Sequence, residues 1–238
     1  MTDDALLRQV LVVTAHPDDV DFGAAGTMAR WAASGVKIAY CIVTDGGSGA
    51  LDPETDLAAL PAIREDEQRA AAAAVGVEDV RFLGYSDGQL DVTLELRRDL
   101  SRVIREVRPD RLVCQSPERN WQRIGASHPD HLAAGEATLR AVYPDARNPF
   151  AHRDLLAEGL EPHVVPEVWL MASPRADRAV DITEFLGAKL AALRCHTSQV
   201  GSGHGLDERI RSWASRTALE HGLGVDRFAE AFQLVITA

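Results

Sequence analysis

The sequence predicts an α/β fold, a Rossmann-like, mostly parallel sheet flanked by helices on both faces. Three observations predict it. Between residues 10 and 142, short apolar runs alternate with helix-forming stretches four times over, the pattern of parallel strands joined by crossover helices. The runs are continuously apolar, as strands covered on both sides are. The 238 residues, 46% of them hydrophobic, suffice for one core, so a single domain over 1–238 is expected.

The elements follow in order. Residues 10–15 are the first expected strand and 23–34 the helix after it, ended by Gly35. Residues 37–44 repeat the strand pattern, Asp45-Gly-Gly-Ser-Gly49 supplies a flexible turn, and 51–60 read as a polar insertion. Pro61 suits the first turn of the next helix. Its body, 62–75, is rich in Ala, Arg, Glu and Gln, all strong helix formers, and Gly76 closes it. A third strand is expected at 80–83 and a turn-rich loop at 84–91. A helix at 93–107, apolar at Leu96, Leu100, Val103 and Ile104, stops at Pro109. A fourth strand at 112–115 precedes a helix from about 130 to 142. There follow a proline-bearing loop at 143–163, a strand at 165–171, a helix at 183–194, a glycine-rich link at 201–205, a helix at 207–220 and an apolar end at 232–236. The stretches 45–60 and 143–163 exceed usual loop lengths and are expected to border a site.

Composition narrows the function. With 36 acidic against 25 basic residues and a net charge of -11, the chain is a poor partner for nucleic acid, whose phosphates call for clustered Lys and Arg. No apolar stretch approaches the roughly 18 residues of a membrane span, and the Met-Thr-Asp-Asp start lacks the basic and apolar parts of a signal peptide, so a cytoplasmic location is expected. Cys41, Cys114 and Cys195 are far apart and outside any Cys-x-x-Cys pairing, which predicts neither a disulfide framework nor a thiolate metal cluster.

Two short motifs carry the chemistry. The first strand delivers His16-Pro-Asp-Asp19 at its carboxyl end, where open α/β sheets place ligands. Ser127-His-Pro-Asp-His131 adds two imidazoles and a carboxylate in five residues. Borderline metals such as zinc accept imidazole nitrogen and carboxylate oxygen, and a catalytic site keeps three protein ligands and one open position. His16, Asp19 and His131 would supply that set. Asp18 lies beside it as a base, and His128 is left to stabilise an oxyanion. Each motif alone also fits a turn or a capped helix start; the pairing of both in one chain favours a metal site for amide hydrolysis.

These residues resemble the PIG-L or LmbE-like zinc deacetylases. Ala15-His-Pro-Asp-Asp19 looks like that family's opening motif, Thr44-Asp-Gly-Gly47 its second loop and Arg64-Glu-Asp-Glu67 its second helix. Gly84-Tyr-Ser-Asp-Gly88 and His128-Pro-Asp-His131 continue the order, and Lys189 to Gln199 is similar to its late helix. The resemblance implies zinc ligands His16, Asp19 and His131, general base Asp18, and His128 as the group that polarises the acetamide or protonates the amine. It further implies substrate contacts from Arg64, whose other reading is a helix-face pairing with Glu67 or Gln68, and from Asp87, whose other reading is an Asx-type turn. His196, at a helix end, is a further candidate contact, with an interaction with the helix carbonyl end as its alternative. One departure is visible: the family often has Glu after the paired aspartates, where this chain has Val20 and then Asp21.

The expected activity is zinc-dependent N-deacetylation of an N-acetylglucosamine-type amino sugar or glycoconjugate, with ferrous iron as the alternative ion. The expected partner is this small substrate, with self-association into a homo-oligomer left open. Rival readings are an amidase for a larger acyl group and a carbohydrate binder that has lost catalysis. Trp121, in the loop before His128, is a candidate sugar platform, with packing as the commoner use of one such tryptophan.

Overall fold

The apolar run around Val12 forms β1 (Gln9–Thr14), buried from Val10 onward. In the computed structural model, which describes residues 6–50, 54–201 and 203–238, the chain continues through α1 (Asp19–Ala33), β2 (Lys37–Thr44), α2 (Leu60–Ala74), β3 (Asp79–Tyr85), α3 (Leu94–Val107) and β4 (Arg111–Gln115). Then come α4 (Pro129–Arg140), α5 (Arg153–Ala157), β5 (Glu167–Met171), β6 (Arg178–Asp181), α6 (Leu186–Cys195), α7 (Thr197–Val200), α8 (Leu206–Glu220) and β7 (Ala229–Ile236). The acidic start, residues 51–53 of the expected insertion and Ser202 of the glycine-rich link lie outside the described residues.

The strands form one sheet in the order β3-β2-β1-β4-β5-β7-β6. The pairs β1–β2, β2–β3, β1–β4 and β4–β5 are parallel, while β7 runs antiparallel to both β5 and β6. From β1 the chain steps outward to β2 and β3, then returns to lay β4 on the other side of β1. That reversal opens a crevice at the carboxyl ends of β1 and β4, the usual ligand position in such sheets. Val10, Val12, Ile38, Tyr40 and Ile42 pack with buried residues of α1, α2 and α6 in one core. Leu11, Val13, Ala39, Cys41 and Val43 pack with α3 and α4 in the other. The period-two alternation along β1 and β2 sorts these side chains between the faces.

The structure bears out the expected class and corrects several boundaries. α1 begins at Asp19, four residues before the expected start, because Asp19 and Asp21 suit the first turn of a helix dipole. Gly135 lets α4 lie against β4: a Cβ there would come 2.3 Å from the Gln115 carbonyl oxygen. β6, only partly buried and flanked by Arg178 and Asp181, is too short and polar to read as a strand from sequence. The loop at 143–163 holds α5 and does not border the crevice. Buried Arg105 grips the carbonyls of Asp145, Ala146, Asn148 and Ala151, and His163 reaches the Pro109 carbonyl just before β4, at the opposite edge of the sheet.

Candidate metal centre and active site

His16 follows β1, and His128 caps α4 after β4, so the two motifs meet in the crevice although more than a hundred residues separate them. Hydrogen-bond partners assign the imidazole protons. His131 Nδ1 lies 3.3 Å from the Ala126 carbonyl, which can only accept, so its proton sits on Nδ1 and Nε2 carries a lone pair. His16 Nε2 lies 3.0 Å from Asp87 Oδ1 and 3.1 Å from Asp130 Oδ2, so its proton sits there and Nδ1 carries the lone pair. These two lone pairs face each other at 3.3 Å. Asp19 completes the set, with Oδ1 at 3.0 Å from His131 Nε2 and Oδ2 at 3.3 Å from His16 Nδ1.

With one proton on the outer nitrogen of each imidazole, three acceptors this close call for positive charge between them, from an ion or, in its place, from further protons on the rings. A tetrahedral ion with bonds of about 2.0–2.1 Å sets neighbouring donor atoms about 3.3 Å apart, close to the separations here. The donor set therefore fits zinc or a similar ion. His128 can also bring a ring nitrogen within 4.8 Å of ligand atoms on His16 and His131, but Asp19 is nearer. Carboxylates behind a ligating imidazole are the usual outer support of such a site.

The same demand for positive charge appears in proton affinities. Burial opposes charge on His16, yet hydrogen bonds to Asp19 and Asp87 outweigh it and bring its pKa up to about 11. Burial likewise opposes charge on His131, and Asp19 overcomes it, raising that group too. Asp19 is held well below the usual carboxylate range by His131 and His16 against its own burial. Asp87 is lowered against its burial, chiefly by His16. His128 shifts down through burial and the neighbouring His16 and His131.

Asp18 is set apart. Its backbone is left-handed at φ 94°, and its carboxylate does not cap α1. Arg64 Nη2 instead holds Asp18 Oδ2 at 3.2 Å and the Pro17 carbonyl at 2.6 Å, while Nη1 donates to the Gly46 carbonyl at 2.9 Å. Burial and the adjacent Asp19 push the Asp18 carboxyl up to about 7, against the pull of Arg64, His196 and His16. The Asp18 amide donates to Gln68 Oε1 at 2.8 Å; Gln68 Nε2 donates to Asp21 Oδ2 at 2.9 Å, and His196 Nε2 meets that oxygen at 2.8 Å. Val20 is wholly buried in the core, so the carboxylate one residue later faces this chain of contacts.

The crevice thus gathers His16, Asp18, Asp19, Asp87, His128 and His131, with Arg64 against Asp18. The three residues expected at the substrate are occupied otherwise. Arg64 is buried on Asp18, Asp87 divides its oxygens between His16 and the Ser48 amide, and His196 is fully buried on Asp21. His128 does cap a helix, its Nδ1 accepting the Asp130 amide at 3.2 Å, which leaves the proton on Nε2. Asp130 and Gln68 received no role from sequence. Asp130 stood inside a recognised motif; Gln68 acts on a backbone amide, for which residue spacing carries no signal.

The family described as PIG-L, GlcNAc-PI de-N-acetylase, matches residues 11–142. A diacetylchitobiose deacetylase of Thermococcus kodakarensis is 33% identical over 193 residues, covering 81% of this chain and 70% of that one. A 1D-myo-inositol 2-acetamido-2-deoxy-alpha-D-glucopyranoside deacetylase of Saccharopolyspora erythraea is 31% identical over 246 residues, covering 81% and 78%. Among solved structures, the N,N'-diacetylchitobiose deacetylase of Pyrococcus horikoshii superposes with a TM-score of 0.88 at 29% identity, over 97% of this chain and 84% of that one.

Proposed function

Because the chain belongs to the PIG-L family, we propose that it hydrolyses the acetamide of an N-acetylglucosamine-type amino sugar or glycoconjugate to a free amine and acetate. The observation that carries the reading is the convergence of lone pairs from His16 Nδ1, His131 Nε2 and the Asp19 carboxylate, with Asp18 and His128 alongside. In this reading those three residues hold zinc. When bound, the ion supplies Lewis acidity towards the acetamide oxygen and increases the acidity of water.

Asp18 Oδ takes the proton of the attacking water, a carboxylate with proton affinity near neutral being suited to accepting and then releasing it. Arg64 orients that carboxylate. His128 donates a hydrogen bond through Nε2 to the developing oxyanion, and Asp18 passes the proton it took to the departing nitrogen. Asp87 and Asp130 fix the His16 ring from behind, and His196 acts through Asp21 rather than on substrate. A hydrolase for larger acyl groups would use the same atoms; the relatives' names favour acetyl removal. No helix among the described residues is long and apolar enough to cross a membrane.

The test is acetate release from N-acetylglucosamine and diacetylchitobiose by protein purified without chelator, with metal analysis. Chelation should abolish turnover and zinc restore it. Asp18→Asn should lower kcat by about 10²–10⁴ while metal content stays level. Protein free of metal and indifferent to chelator would overturn the assignment.

A further inference from the structure

α2 holds Asp18 through Gln68 and Arg64, and α6 holds the residues just beyond it. Lys189 Nζ donates to the Phe22 carbonyl at 2.7 Å, and His196, immediately after α6, meets Asp21 Oδ2 at 2.8 Å. Both side chains are buried. Lys189 also pairs with Glu230 of β7 at 2.6 Å, and Glu230 accepts the Gly26 amide at 3.0 Å. The Phe22 carbonyl and the Gly26 amide are the two groups that one rung of an α-helix joins. The buried ion pair therefore spans that rung from outside the helix. Because Glu230 neutralises Lys189, what Lys189 gives the acidic turn is a fixed hydrogen bond rather than a long-range field.

These contacts bear on Asp19. The Asp18 carbonyl accepts the Asp21 and Phe22 amides at 2.9 and 3.1 Å, so holding residues 21 and 22 fixes the peptide that aims the Asp19 carboxylate. Packing alone does not fix it. A Cβ at Gly23 would come 2.7 Å from Met171 Sδ and one at Gly26 2.7 Å from Ile182, so from Gly23 onward α1 is wedged against its neighbours. Among residues 19–22, before that wedge, only Val20 buries an apolar side chain fully. Asp18, Asp19 and Asp21 also place three carboxylates within four residues, and their repulsion works against a closed turn.

We propose that Lys189 and His196 are positioning residues for Asp19: from α6 they hold the first turn of α1 and so set its carboxylate opposite His16 Nδ1 and His131 Nε2. This rests on the metal-centre reading, and its test is independent of turnover.

The test compares Lys189→Met and His196→Asn with Arg111→Ala, which breaks another buried ion pair, that with Glu167, at the opposite edge of the sheet. Zinc affinity is read by chelator competition at a temperature where all the proteins are folded. Hydrogen exchange of the Asp21 and Phe22 amides, relative to amides of β1, is read in metal-free protein. Each α6 variant should bind zinc about 10–100-fold more weakly and exchange those amides at least about tenfold faster. Arg111→Ala should change neither. If one α6 variant fails to fold, the other decides. Native zinc affinity and native exchange in a folded α6 variant, or equal losses in Arg111→Ala, would overturn the positioning role. If native protein binds no zinc, the metal-centre reading falls, and the exchange rates alone decide whether α6 holds the turn.

Discussion

Asp18 combines three properties that rarely coincide: a left-handed backbone, a partly buried carboxylate held by a buried arginine and an elevated proton affinity. A non-glycine residue at positive φ costs on the order of 1–3 kcal/mol and persists where its surroundings over-determine it. Here Gln68 grips the amide and Arg64 the carboxylate, so backbone and side chain are fixed from separate points along α2. Gln68→Ala should therefore lower kcat by about 10–100-fold with KM and bound metal unchanged; steady-state kinetics with metal analysis checks this, and a loss of metal would point to collapse of the site instead. The chemistry of Asp18 was legible because its neighbours in sequence are also its neighbours in the site. Its supports were not, since Gln68 and His196 come from distant helices and act through a backbone amide and a buried carboxylate.

α1 and α4 both begin at the crevice, at Asp19 and Pro129, and their amino ends favour negative charge there. α4 depends on close approach to β4: with a Cβ at 135 only 2.3 Å from the Gln115 carbonyl, Gly135→Ala should destabilise the fold by about 1–3 kcal/mol, read by denaturant unfolding. Gln115 also accepts the Ala15 amide at 2.9 Å, so displacement there would spread to His16. β2 was legible to the residue, because its run is continuously apolar and Gly35 and Asp45 bracket it. Helix starts were less legible: the Asp18-Asp19 pair satisfies turn chemistry and helix-start chemistry equally well. The antiparallel edge was missed because β6 has too few apolar residues to show a period.

Across the whole molecule, chemistry and stability occupy opposite edges of the sheet. At the amino ends of β4 and β5, fully buried Arg111 pairs with Glu167 at 2.7 Å and lies 4.0 Å from the Trp169 ring and 4.9 Å from the Trp31 ring. Removing one member of such a pair takes from a buried charge the partner that offsets its desolvation. Arg111→Ala should cost about 3–5 kcal/mol of stability and leave KM and the kcat of the remaining folded protein unchanged, seen by comparing unfolding curves with kinetics at low temperature. The class of fold was legible from alternation alone. The interior place of β7 was not, because strand order depends on contacts between segments far apart in the chain. That place sets the order of events during synthesis. Residues 229–236 are translated after every other strand, yet they lie between β5 and β6, and Glu230 holds the amides of Gly26 and Thr27. Until they leave the ribosome, β5 presents an unpaired edge and α1 lacks its anchor, so a premature stop codon shortly before residue 229 would yield a template for aggregation and a target for cellular quality control.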